Sequence, residues 1–186
     1  MNSNILLCSP DFIRANSNIS DNINSKVLAT AIREVQYNEL IEILGEMLLE
    51  YLQFLIKEDL IDDDEYKIYK DILDKCQLFI TYKVIAEVIM MVNYKIDNAG
   101  LVQTRDENLD YADYDKALNL KNYYDRKGDH YCYLLQNFLL KNKKIIPELT
   151  ECQCKRLHSV LYSAGNPSIF LGGARGRGFG CCFRHF

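Results

Sequence analysis

Apolar residues recur three and four positions apart along most of this chain, the spacing of helices that bury one face. From Ser25 the series Leu28, Ile32, Val35, then Leu40, Ile43, Leu44, Met47, Leu48, Tyr51, Leu52 and Leu55 predicts two helices with a break or bend between Tyr37 and Gly45. Gly45 weakens an uninterrupted helix by roughly 1 kcal/mol relative to alanine. Asp62 followed by Glu65 reads as an N-cap with an acidic first turn, so a long helix is expected to start there. Its stripe is Tyr66, Tyr69, Leu73, Cys76, Ile80 and Val84, after which it becomes apolar on nearly every side. The most apolar run, Leu78 to Val92, carries Lys83 and Glu87 and is shorter than the ~20 residues a membrane span needs.

Asn98-Ala99-Gly100 marks the expected stop, and Leu101 to Thr104 is a short β-prone piece before a polar loop. A second long helix is expected from Tyr111 to Lys141, with Gly128 as a candidate kink and Lys141, Lys143 and Lys144 near its negative end. Residues 1–24 are rich in Asn and Ser, with the apolar pair Phe12 and Ile13 set between Asp11 and Arg14, and read as an extended arm with a single anchor. Beyond Pro147 the pattern weakens, and the chain closes on GGARGRGFGCCFRHF, with five glycines in fifteen residues. Glycine-rich backbone loses much entropy on ordering, so this tail needs contacts from another surface. The expected fold is therefore mainly α: a bundle of four to five helices, two of them long, over 25–145, flanked by arms at 1–24 and 146–186.

The 186 residues are 48% hydrophobic and 26% charged, enough for one sizeable core. A net charge of -4 argues against a protein that coats duplex nucleic acid through clustered cations. The opening Met-Asn-Ser-Asn-Ile lacks the basic and apolar regions of a secretory signal, so the seven cysteines are expected to be reduced thiols.

Cys152, Cys154 and His158 together with Cys181, Cys182 and His185 supply enough ligand types for zinc, but Cys-x-Cys and Cys-Cys are poor substitutes for CxxC knuckles. Packing thiols are the expected role, and no cofactor is expected. The glycines from Gly173 to Gly180 follow an apolar run as a phosphate loop does, yet only six residues remain after Gly180 and no Gly-Lys-Ser/Thr occurs. None of the three histidines lies in a nucleophile or hydrolase motif, so no enzymatic activity is expected. Thirteen tyrosines, six of them at 111, 114, 123, 124, 131 and 133, exceed what one buried helix face accommodates and suit a subunit interface.

Two stretches carry a resemblance. DFIRANSNISDNINSKVLATAIREVQYNELIEILG (11–45) and VNYKIDNAGLVQTRDENLDYADYDKALNLKNYYDRKGDHYCYLLQNFL (92–139), with the shorter SAGNPSIFLGG (163–173), resemble the head-to-tail connector or adaptor proteins of tailed phages, including crAss-like phages and related prophages. The resemblance implies a helical connector fold and a homo-oligomeric ring of roughly twelvefold symmetry. It further implies a virion protein at the portal vertex, contacting the portal protein and adjoining tail or ring proteins around a channel for double-stranded DNA, with no membrane and no catalysis. Acidic walls would favour passage of DNA over adhesion. Within that frame the expected interface anchors are Phe12, Ile13, Phe170, Phe179, Phe183 and Phe186, with Arg14, Arg175, Arg177 and Arg184 as polar partners. The alternative is a small nucleic-acid-binding or regulatory helical protein that uses the arginine-rich tail through charge and stacking.

Overall fold

The helix α5, Lys67–Asn93, has apolar residues on every side and is the axis on which the other elements pack. The computed structural model describes residues 5–97, 100–103 and 114–164. Before α5 come α1 (Pro10–Ala15), α2 (Ser25–Val35), α3 (Ile41–Leu44) and α4 (Glu46–Lys57). After it come β1 (Tyr94–Asp97), β2 (Gly100–Gln103), α6 (Tyr114–Asn142) and α7 (Glu151–Ala164). The strands pair antiparallel, Tyr94 opposite Gln103 and Asp97 opposite Gly100, with β1 following directly on α5. The fold is thus mainly α with two long helices, as the periodicity predicts.

The α5–α6 pair is antiparallel, since Lys75 near the start of α5 lies over Phe138 near the end of α6, whereas Glu87 meets Lys121. Tyr82 stacks on Tyr131 midway, with ring centroids 5.0 Å apart and planes nearly parallel. On the other side of α5, the core-facing stripe Leu28, Ala31, Ile32 and Val35 of α2 is completely covered. Burying each of Leu28, Ile32 and Val35 contributes about 1.5–3 kcal/mol before the entropy of ordering is subtracted.

The expected break between α2 and α4 is built from two devices. Gln36–Leu40 forms a π-helical turn that lets the helix run on into α3, and Gly45, at φ +78°, reverses the backbone before α4. At the other end of α4, Asp59 takes φ +56° while Leu60 N–H donates to the Leu55 carbonyl (2.9 Å), a left-handed stop of the Schellman kind. The acidic segment 62–65 precedes the long helix rather than opening it. Asp64–Tyr66 is a single 3₁₀ turn, α5 starts at Lys67, and Lys70 reaches back to pair with Asp62.

Both arms are shorter than the sequence pattern suggests. Leu7, Cys8 and Ile13 are buried in the main core, and 10–15 is a helix with Pro10 in its first turn and Ser9 as its cap. Three glutamines from separate elements hold the chain between Ile5 and Leu7. Gln36 accepts from Leu7 N–H (2.8 Å) and donates to the Ile5 carbonyl (3.0 Å), Gln53 donates to that same carbonyl (2.8 Å), and Gln77 donates to the Leu7 carbonyl (3.0 Å). The short apolar run Ile5-Leu6-Leu7 is thereby fixed through its backbone as well, by partners that the local sequence does not reveal.

At the other end, Ile146, Leu149 and Leu157 also belong to the core. Residues 151–164 form α7 instead of an extended arm, with Thr150 Oγ1 accepting from Gln153 N–H at its start. Gln153 donates to the carbonyls of Glu42 and Ile43, both at 2.8 Å, satisfying the end of α3 beside Gly45. The core consequently runs from Leu7 to Leu157, wider than the 25–145 expected.

Candidate functional site: the outward face of the long helix pair

Inside the α5–α6 pair, the position that would kink the helix instead admits a lysine. Gly128 is buried in an unbroken α6, and a Cβ there would stand 2.8–2.9 Å from the Cγ, Cδ and Cε of Lys83. The stem of Lys83 therefore crosses α6 at its one side-chain-free point. Its Nζ reaches Asp125 Oδ1 (2.5 Å) and Asp129 Oδ1 (2.8 Å), one helical turn apart and so on one face, and lies 3.5 Å from Glu39 Oε2. Burial alone would lower the Lys83 pKa. The hydrogen bonds to the two aspartates and the charge of Glu39 outweigh it, leaving the ammonium held more firmly than in water. Burial raises the Glu39 carboxyl, and Lys83 pulls it part of the way back.

An open cleft of about 400 Å³ beside this cluster is lined by Glu39, Lys83, Asp129, Cys132 and Arg156 among others. Its chemistry is quiet. Lys83 is locked in its protonated form, and burial with the nearby Asp129 charge pushes the Cys132 thiol up to about 11, so neither is a ready nucleophile at neutral pH. The cluster places one ammonium among three carboxylates, offsetting part of their charge, and the outer surface of α6 beside it carries basic and aromatic side chains.

On that outer surface Leu120, Tyr123, Tyr133 and Leu134 are 42–52% exposed, and Leu120, Tyr123, Lys127, His130 and Leu134 follow one another three to four apart along one side. Lys127 lies among them over the ring of Tyr123 (4.6 Å to the centroid) and within 5.7 Å of the ring centroids of Tyr82 and Tyr124. The hydrogen bond from Lys127 to the Tyr123 hydroxyl raises the lysine pKa. Arg126 and His130 stand exposed beside them. Isolated exposed apolar side chains are ordinary; a contiguous stripe of tyrosine, leucine and arginine is the composition of a contact surface.

A family model matches residues 40–158, which span α3, α4, α5, both strands, α6 and α7 as far as His158. The chain belongs to the family of unknown function DUF6712. The DUF6712 region contains Lys83, Asp125, Gly128 and Asp129 and the whole tyrosine-bearing face, whereas the glutamine-held segment 5–7 and α2 precede it. No curated protein and no solved structure matches this DUF6712 chain.

The residues singled out from sequence fall into three groups. Ile13 is consumed by the chain's own core and Phe12 is half-buried against it. Arg14 is likewise engaged internally, donating to Asp11 Oδ1, the Ile23 carbonyl and Ser25 Oγ, each at 2.8 Å. Cys152 and His158 are exposed on α7 and Cys154 half-buried, and among the described residues no three His, Cys, Asp or Glu side chains are grouped to hold a metal ion. Phe170, Arg175, Arg177, Phe179, Cys181, Cys182, Phe183, Arg184, His185 and Phe186 lie outside the described residues. Sequence reading missed the Lys83 clamp, although its signals were present: a lysine in an apolar run, a glycine inside a helix, and aspartates flanking that glycine at helical spacing.

The thiols give a direct check on this packing. Burial raises Cys76 far above the ordinary thiol range and Cys8 to about 12. At pH 8 an alkylating reagent is expected to modify exposed Cys152 promptly, while Cys8 and Cys76 react only on unfolding; peptide mass spectrometry over time reads the order. Prompt labelling of Cys8 would show that the N-terminal segment is not docked.

Proposed function

We propose that this chain is a structural virion protein, a connector or adaptor subunit that assembles as a ring beneath the portal and joins capsid to tail around a DNA channel. The observation that carries the reading is the exposed stripe of tyrosine and leucine on α6, a surface suited to contact with other protein subunits. The mainly helical fold and the resemblance of residues 11–45 and 92–139 to phage connectors support the same assignment. Among the described residues no helix is long and apolar enough to cross a membrane. The C-terminal tail, residues 172–186, is assigned to contact with neighbouring ring subunits or adjoining portal and tail proteins.

The test is reconstitution. Purified chain mixed with its portal protein is expected to give ring-shaped complexes by electron microscopy that persist in high salt. Deleting 172–186 is expected to weaken assembly while leaving the helical circular dichroism unchanged. No ring on a competent portal would sink the assignment. A tail-dependent affinity for DNA or RNA that falls steeply with ionic strength would instead favour a nucleic-acid-binding role.

A further inference from the structure

The molecule carries a second exposed apolar stripe, on a different helix and of opposite charge character. On α4, Met47 and Phe54 are 57% and 49% exposed, with half-buried Tyr51 between them and Glu46, Glu50 and Glu58 alongside. Residues 46–70 hold eight carboxylates against three lysines, and two of those lysines are already paired, Lys57 with Glu58 and Lys70 with Asp62. The α6 stripe carries Arg126, Lys127 and His130, and the exposed Lys141, Lys143 and Lys144 follow its C-terminal end. Asp125 and Asp129, the acids within that span, are turned to Lys83.

We propose that the α4 stripe of one copy packs along the α6 stripe of the next, so that copies of this chain join head to tail; the proposal rests on the ring reading above and supplies its subunit contact. The two stripes match in length, since 47–58 and 123–134 each span about 16 Å at 1.5 Å per residue. They match in charge only in one direction. With both helices running the same way, Met47 lies against Tyr123, Glu50 against Arg126 and Phe54 against His130. By the same register the acidic turn 59–65 falls opposite 135–141, beside the group Lys141, Lys143 and Lys144 at the end of α6. The reverse direction carries that turn to the start of α6, where Asp115 stands and Lys121 is already paired with Glu87. Because the two surfaces differ, each copy offers one to either neighbour, the heterologous arrangement that closes into rings or runs into filaments. Tyrosine and arginine at the centre of the contact are the residue types that dominate such interfaces.

Charge exchange on the full-length chain tests this. Glu50→Arg and Arg126→Glu each place like charges together, and each is expected to weaken self-association about tenfold or more by sedimentation velocity, with unchanged circular dichroism. Because the contact joins different faces of different copies, mixing the two variants in equal amounts restores opposite charges at every junction, and so does the double variant. Both are expected to recover association. Single variants that associate like the parent, or a mixture without recovery, overturn the pairing. So does a parent chain that remains monomeric at its highest soluble concentration. Portal-bound rings indifferent to these substitutions would overturn the pairing and leave the connector role intact. Recovery in the mixture from a chain with no affinity for portal would do the opposite.

Discussion

Ile13→Ala is expected to destabilise the isolated chain by about 2–5 kcal/mol, the range for truncating a completely buried aliphatic side chain. The expectation separates two roles for the same residue. If Ile13 were an anchor for a neighbouring subunit, truncation would weaken assembly and leave the melting temperature of the monomer alone. In the structure it lies in the core that α2, α4 and α5 share, on a helix fixed by Ser9, Pro10 and the Arg14 bonds to Asp11, Ile23 and Ser25. Urea unfolding should therefore show a lower midpoint with an unchanged slope. An unaltered midpoint would return Ile13 to the interface.

Gly128→Ala is expected to destabilise although alanine is the better helix former. Helix propensity favours the substitution by about 0.8–1 kcal/mol, whereas overpacking a filled site costs about 1–3 kcal/mol. Overpacking wins because the new methyl would meet the middle of the Lys83 stem, whose far end is tied to Asp125 and Asp129 and cannot swing clear. Lys83→Ala alone is expected to cost about 1–3 kcal/mol, below the usual range for breaking a buried pair because the carboxylates it abandons are 40–66% exposed. In that background the sign of Gly128→Ala reverses, since the stem is gone and propensity alone remains. A double-mutant cycle measures this coupling directly. The folded pKa of Lys83 lies above its unfolded value, so its stabilising contribution is complete below about pH 10 and is lost as pH rises through the folded value. Additive single effects would show that the stem does not occupy the glycine slot.

The long helices, the strand-like piece after α5 and the break near Gly45 were legible because each rests on local signals: 3.6-residue spacing, β-branched residues, a glycine. The start of α5 was displaced by a few residues, since a run of four acids suits a helix dipole equally well from a preceding turn. The arms were misjudged for a different reason. Residues 5–7 are Ile-Leu-Leu, an apolar run too short to predict an element of its own, and what secures their backbone is the amide groups of Gln36, Gln53 and Gln77, far off in sequence. Residues 146–157 contribute only a few core side chains and depend on Gln153 and Arg156 reaching Glu42 and Ile43. The α6 face was half legible: its surplus of tyrosine was visible, but the pairing of Asp125 and Asp129 with Lys83 required the helices to be placed side by side.

Attachment of the first residues by the last of those glutamines also constrains the order of events during synthesis. Leu7 and Gln77 are 70 residues apart. At about 5–20 residues per second, the amino terminus leaves the ribosome roughly 4–14 s before the side chain that completes its seat. Over that interval the segment has to remain in water without a partner. Ile5, Leu6, Leu7 and Cys8 are apolar side chains exposed to solvent during that delay, and the Asn- and Ser-rich stretches on either side, 2–4 and 16–24, are what keep the nascent segment soluble until α5 has been made.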